Sequence, residues 1–149
     1  MATKKPTLED LTKLLGEDRF DDIAKLGQGA AASLRQIAEG SDVLAAAKAI
    51  SVYAKMKLTD AAEVVAAAAR NRNRAVRVAA AVAAAELGAR GEATLEYLLK
   101  SKDASIRKWA IRSSKDAVSG ALHAQLEKIS QKDPIDSLRE SAAKILKKE

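Results

Sequence analysis

The sequence predicts an all-α protein, built as an α-solenoid of about four helix pairs behind an N-terminal helical cap. Three observations lead there. Apolar residues recur at helical spacing, i, i+3, i+4, rather than alternating. One such triplet returns at steps of 30 or 31 residues. Strand formers are scarce: aromatic residues make up 3% of the 149, and alanine, the best helix former, is the commonest residue. A chain of this length is expected to form one domain.

The cap occupies residues 1–27. Thr7 with Asp10 begins a short helix through Leu8, Leu11, Leu14 and Leu15, ending at Gly16. Asp18 begins another, carrying Phe20, Ile23, Ala24 and Leu26 and ending near Gly27. Four repeats follow, at about 28–57, 58–88, 89–119 and 120–149. Their first helices carry the triplets Leu34/Ile37/Ala38, Val65/Ala68/Ala69, Leu95/Leu98/Leu99 and Leu126/Ile129/Ser130. In the second helices an apolar residue is followed by arginine and, three further on, alanine: Val76, Arg77, Ala80; Ile106, Arg107, Ala110; Leu138, Arg139, Ala142. The first copy keeps the apolar face (Val43, Ala46, Ala47, Ile50) but has Leu44 in place of arginine, a departure typical of terminal repeats.

The turns agree. Gly40 suits a helix C-terminus and Ser41 the next N-cap; Asn73 and Asp103 are expected caps of the following second helices. Pro134 falls where the first turn of the last helix is expected, and Gly88, Gly91 and Gly120 separate repeats.

Lys102, Asp103, Ile106, Arg107 and Ala110, with Lys132, Asp133, Pro134, Leu138, Arg139, Ala142 and Leu146, give the chain its likeness to a known family. In these residues it resembles the HEAT-repeat family, in the short bacterial form also seen in phycobilisome-lyase-type repeats. The resemblance spans about residues 28–149; the second repeat has Asn73 for the aspartate and the first matches poorly. It implies a right-handed solenoid that serves as an interaction surface. It also implies a structural ladder in which Arg77, Arg107 and Arg139 pair with the turn aspartates Asp103, Asp133 and Asp136.

Charge narrows where a partner would bind. Residues 70–116 hold eleven basic and five acidic side chains, so this segment alone carries the net +6 of the chain. Two surfaces qualify. Outward positions of the second helices, expected to line the inner curve, read Val78 and Val82, then Lys108 and Arg112, then Glu140 and Lys144. The turns within repeats bring Arg70, Arg72 and Arg74, Lys100 and Lys102, and Lys128 to Lys132 along one edge. The plain alternatives are a solvated helix face and cations placed at helix C-termini for dipole reasons. The expected partner is a protein with an acidic surface; the competing reading is sequence-tolerant nucleic-acid binding through the basic edge.

Nothing points to catalysis. There is no cysteine, and His123 is the only histidine, so no zinc set can be assembled from these types. Ser113 and Ser114 lack a nucleophile elbow, and Gly27, Gln28 and Gly29 lack the strand a phosphate loop follows. Glu17, Asp18, Asp21 and Asp22 read as charge at a helix N-terminus. Trp109 aligns with Ala79 and Ser141 and is expected in the core. Its rival role is base contact, alongside Arg112 and Asp116, as in HEAT-like DNA glycosylases; a lyase-like enzyme is a further, weaker alternative. The expectation is therefore no enzyme, no cofactor and no metal. Residues 1–7 have no apolar stretch behind Lys4 and Lys5, and no run reaches a membrane span, so a cytoplasmic setting without a leader is expected.

Overall fold

The structure, a computed structural model, describes residues 5–116 and 119–147, so the first part of the expected leader-free start lies outside the described residues. It is all-helical, with ten α-helices and no strand among the described residues. They are α1 (Leu8–Gly16), α2 (Phe20–Lys25), α3 (Ala31–Ala38), α4 (Val43–Met56), α5 (Ala61–Ala68), α6 (Arg74–Glu86), α7 (Glu92–Leu99), α8 (Ala104–Ser113), α9 (Gly120–Lys132) and α10 (Asp136–Lys147).

From α3 onward the helices pack as consecutive pairs, α3 with α4, α5 with α6, α7 with α8 and α9 with α10. The second members form a continuous row in which α4 lies against α6, α6 against α8 and α8 against α10. All four apolar triplets face the interior, down to Leu126 and Ile129; only Ser130 is half-buried. The first two helices pack on α3 and α4 through Leu11, Leu15 and Ile23, which are fully or almost fully buried.

Local signals explain the element starts. Thr7 and Asp10 form a reciprocal capping box on α1. Asn73 and Asp103 cap α6 and α8 by accepting from the N–H two residues on. Three expectations are corrected. Asp42, not Ser41, caps α4, because its carboxylate reaches the Ala45 N–H. Asp18 does not start α2: it sits at φ 55°, outside the helix, and its carboxylate pairs with Lys48 at 2.7 Å. Pro134 lies in the turn before α10, two residues short of its first position, because α9 runs on to Lys132.

The backbone repeats as well. Left-handed residues stand at Gly27, Lys57 and Gly88, 30 and 31 residues apart, the first where the cap meets the first pair and the others between one pair and the next. After Gly88 the chain makes a 3-10 turn to Gly91, where it passes so close to α6 that a Cβ would lie 1.9 Å from the Ala84 carbonyl oxygen. Arg90 in that turn donates to the Leu58 and Thr59 carbonyls at 3.2 and 3.0 Å, tying one junction to the previous one.

Candidate functional site

Two turns, between α5 and α6 and between α7 and α8, share one construction. Asn71 Oδ1 accepts from the Asn73 N–H, and Ser101 Oγ accepts from the Asp103 N–H. From the helix that follows, Arg77 donates to the Asn71 and Arg72 carbonyls, both at 2.9 Å, and Arg107 to those of Ser101 and Lys102, at 3.0 and 3.2 Å. Each guanidinium thus fastens the turn that precedes its own helix.

The same arginines reach across to the next pair. Arg107 Nε donates to Asp133 Oδ2 at 2.8 Å, and Arg77 lies 3.6 Å from Asp103. Arg139 bonds the Asp133 carbonyl and pairs with Asp136 of its own turn. Asp133 is not the counterpart of Asp103, however. It accepts from the Ile135 N–H and sits six residues before Arg139, which is the place of Asn71 and Ser101. Pro134 therefore stands where the other two turns have Arg72 and Lys102.

Burial opposes ionisation of both ladder carboxylates, but their partners outweigh it. Asp133 is held below the ordinary carboxylate range by Arg107, the Ile135 N–H and the charge of Arg139. Asp103 is held low by Arg74, the Ser105 and Ile106 N–H groups and the Arg74 charge. Arg74, 2.7 Å from Asp103, is therefore committed to the ladder rather than free on the edge.

Between the two turns lies a groove of about 500 Å³, lined by Arg70, Arg72, Arg77, Lys100 and Lys102 with Ala69, Tyr97 and Leu98 on its apolar side. No acidic side chain lines it. Arg70 lies over the Tyr97 ring, 4.2 Å from its centroid. Lys100 pairs with Glu96 on its own helix at 3.3 Å. Among the described residues no carboxylate pairs with Arg70, Arg72 or Lys102. Lys132, also expected on this edge, is exposed at the end of α9 and does not line the groove.

The expected inner strip is changed more. Val78 is half-buried and packs on the core, whereas Val82 is 47% exposed; Lys108, Arg112, Glu140 and Lys144 are exposed. Trp109 is not a core residue. It is 36% exposed, because α8 buries Ile106, Ala110, Ile111 and Ser114, a face turned away from Trp109. Trp109 instead walls a cleft of about 330 Å³ with Val82, Leu95 and Arg112, whose guanidinium lies 5.5 Å from the indole. Ser114 Oγ is spent on the Ala110 carbonyl at 2.6 Å.

One cluster left no sequence signal. Tyr53, fully buried, hydrogen-bonds Asp60, which also accepts from Arg35 at 2.8 Å; Arg35 further reaches Glu39 and Glu63. Burial first, then the Asp60 hydrogen bond, push the Tyr53 hydroxyl well above the ordinary phenol range. This network joins the first two pairs, between which the ladder has no arginine because Leu44 takes its place in the sequence.

Among the described residues no group of three His, Cys, Asp or Glu could hold a metal ion, and no helix is long and apolar enough to cross a membrane. His123 on α9 lies 3.5 Å from Glu127. No protein-family model matches the chain, and neither does any curated protein.

Proposed function

We propose that the chain is a right-handed HEAT-like solenoid of four helix pairs, capped by α1 and α2, that works as a non-catalytic adaptor in the cytoplasm. What supports the solenoid is the row α4–α6–α8–α10, the 30- and 31-residue recurrence of left-handed junctions, and the arginine ties from one pair to the next. The adaptor's contact surface is the groove between the α5–α6 and α7–α8 turns, and its partner is a protein with an acidic surface.

One observation carries the partner class: three cations, Arg70, Arg72 and Lys102, crowd one groove with no carboxylate answering them. Like charges held together raise the local potential and favour an anionic partner. For nucleic acid the groove is short, and its one aromatic ring is already covered by Arg70.

The test uses the full chain and the triple variant R70Q/R72Q/K102Q as bait in host lysate, beside titrations with duplex DNA and RNA at two salt concentrations. A protein held by the parent chain and released by the variant supports the adaptor. Micromolar nucleic-acid binding that falls steeply with salt, and is lost in the variant, overturns it in favour of a nucleic-acid surface.

A further inference from the structure

We propose that this groove reads an extended acidic segment of the partner, taking one oxyanion on each turn, with the two anionic side chains three residues apart. The idea rests on the adaptor reading and gives it a register.

The argument starts from the ladder arginines. Arg77 and Arg107 draw the Asn71 and Ser101 carbonyls toward themselves. In a trans peptide the next N–H points the opposite way, and no peptide bond here is cis. The N–H groups of Arg72 and Lys102 are thus directed away from the ladder, and among the described residues neither has an acceptor in the protein. Each turn offers, on a single residue, a free N–H donor and an unpaired cation. That is the equipment for one oxyanion, a carboxylate or a phosphate monoester alike. In the turn before α10 the equivalent residue is Pro134, with neither donor nor charge, so the device occurs in the two turns that border the groove.

Spacing fixes the register. The two turns lead into α6 and α8, which pack on each other, so they stand about 8–10 Å apart. A polyproline-II segment rises ~3.1 Å per residue with three residues per turn, so side chains at i and i+3 share a face roughly 9 Å apart. The Arg70–Tyr97 stack, with the ring residue 42% exposed, forms one wall of the groove between the two turns.

The experiment follows backbone amide shifts of the ¹⁵N-labelled full chain during titration with glycine–serine peptides. Two glutamates, or two phosphoserines, are set at i,i+3 or side by side, and single-stranded RNA is run in parallel. The expected result is joint displacement of the Arg72 and Lys102 amides, with binding about tenfold tighter for the i,i+3 peptides. R72Q/K102Q should lose it, and K102P, which copies Pro134, should lose the spacing preference. The two oxyanion arms identify the source: parity means a carboxylate-rich segment, a clear phosphoserine advantage a phosphorylated one. Equal binding of both spacings overturns the register and leaves the acidic adaptor standing. If no acidic peptide moves these amides, both proposals fall. RNA displacing the bound peptide at equal charge also overturns the peptide reading.

Discussion

Arg107 grips Asp133 through two nitrogens, Nε at 2.8 Å and a terminal nitrogen at 3.2 Å, and the carboxylate side chain is only 3% exposed. The pair joins α8 to the turn before α10, and Arg107 also fastens its own preceding turn. Removing one member of so buried a pair leaves an uncompensated group. Arg107→Ala is expected to cost about 3–5 kcal/mol, measured by urea denaturation. A cost below ~1 kcal/mol would show that the ladder does not hold the fold together.

The same pair predicts a pH dependence. The folded-state pKa of Asp133 is depressed, so the stability it contributes is present above its unfolded value of about 3.9. That stability drains away as pH falls through that value toward the lower folded one. Asp60 and Asp103 are shifted the same way and add to the slope. Between pH 5 and pH 2 the parent chain should therefore lose stability more steeply than Asp133→Asn, whose carboxamide cannot titrate. Parallel curves would contradict the assignment.

Gly91 tests the close approach of the junction to α6. A methyl group there would meet the Ala84 backbone at 1.9 Å, and backbone cannot swing aside as a side chain can. Gly91→Ala is expected to destabilise by about 1–3 kcal/mol, as overpacking does. Gly29→Ala, where a Cβ meets nothing within 4 Å, serves as the comparison and should change little.

Much of this architecture was legible because it repeats. The triplets, the Asn73 and Asp103 caps and the Thr7 box each follow from residue type at fixed spacing. The core register of α8 was not legible, because small residues mark no face. Ala110, Ser113 and Ser114 fit either side, and the alignment of Trp109 with Ala79 and Ser141, themselves only half-buried, pointed the wrong way. Only Ile111, fully buried, decides it. Asp133 was misaligned by two residues because α9 runs longer than the other first helices. The Arg35–Asp60–Tyr53 network spans 25 residues and has no echo elsewhere, so no period could disclose it. On the edge, the arginine run was visible, but which member is spoken for depends on Asp103 reaching Arg74 from 29 residues away.

Trp109 offers a direct check on the corrected register. It is the only tryptophan, so fluorescence reports its cleft alone. Partial exposure predicts red-shifted emission and access to iodide. Trp109→Ala should cost well under the ~3–5 kcal/mol of a core tryptophan. A loss of that size, with emission blue-shifted and shielded, would return Trp109 to the interior.

Neutralising the groove should leave the fold intact. Arg70, Arg72 and Lys102 are exposed and answer no carboxylate, so R72Q and K102Q remove repulsion without breaking a pair. Each should lie within about ±0.5 kcal/mol of the parent chain by thermal denaturation. A larger loss would mean these cations serve the structure, which would weaken their assignment to binding.

Lys57 carries the last prediction. It holds φ 51° and ψ 40° at the junction where the neighbouring repeats of the backbone have Gly27 and Gly88 at φ 61° and 60°. A residue with a Cβ gives up about 1–2 kcal/mol in this conformation. Glycine avoids that strain but loses more chain entropy on folding, roughly 0.5–1 kcal/mol relative to alanine. The strain is the larger of the two, so Lys57→Gly is expected to stabilise by a few tenths to ~1 kcal/mol, as a raised urea midpoint at unchanged m-value. Lys57→Val, β-branched and ill-suited to positive φ, should move the midpoint the other way. If both variants lower it, the side chain of Lys57 contributes more than its backbone costs, and the junction is held by contacts rather than by the turn.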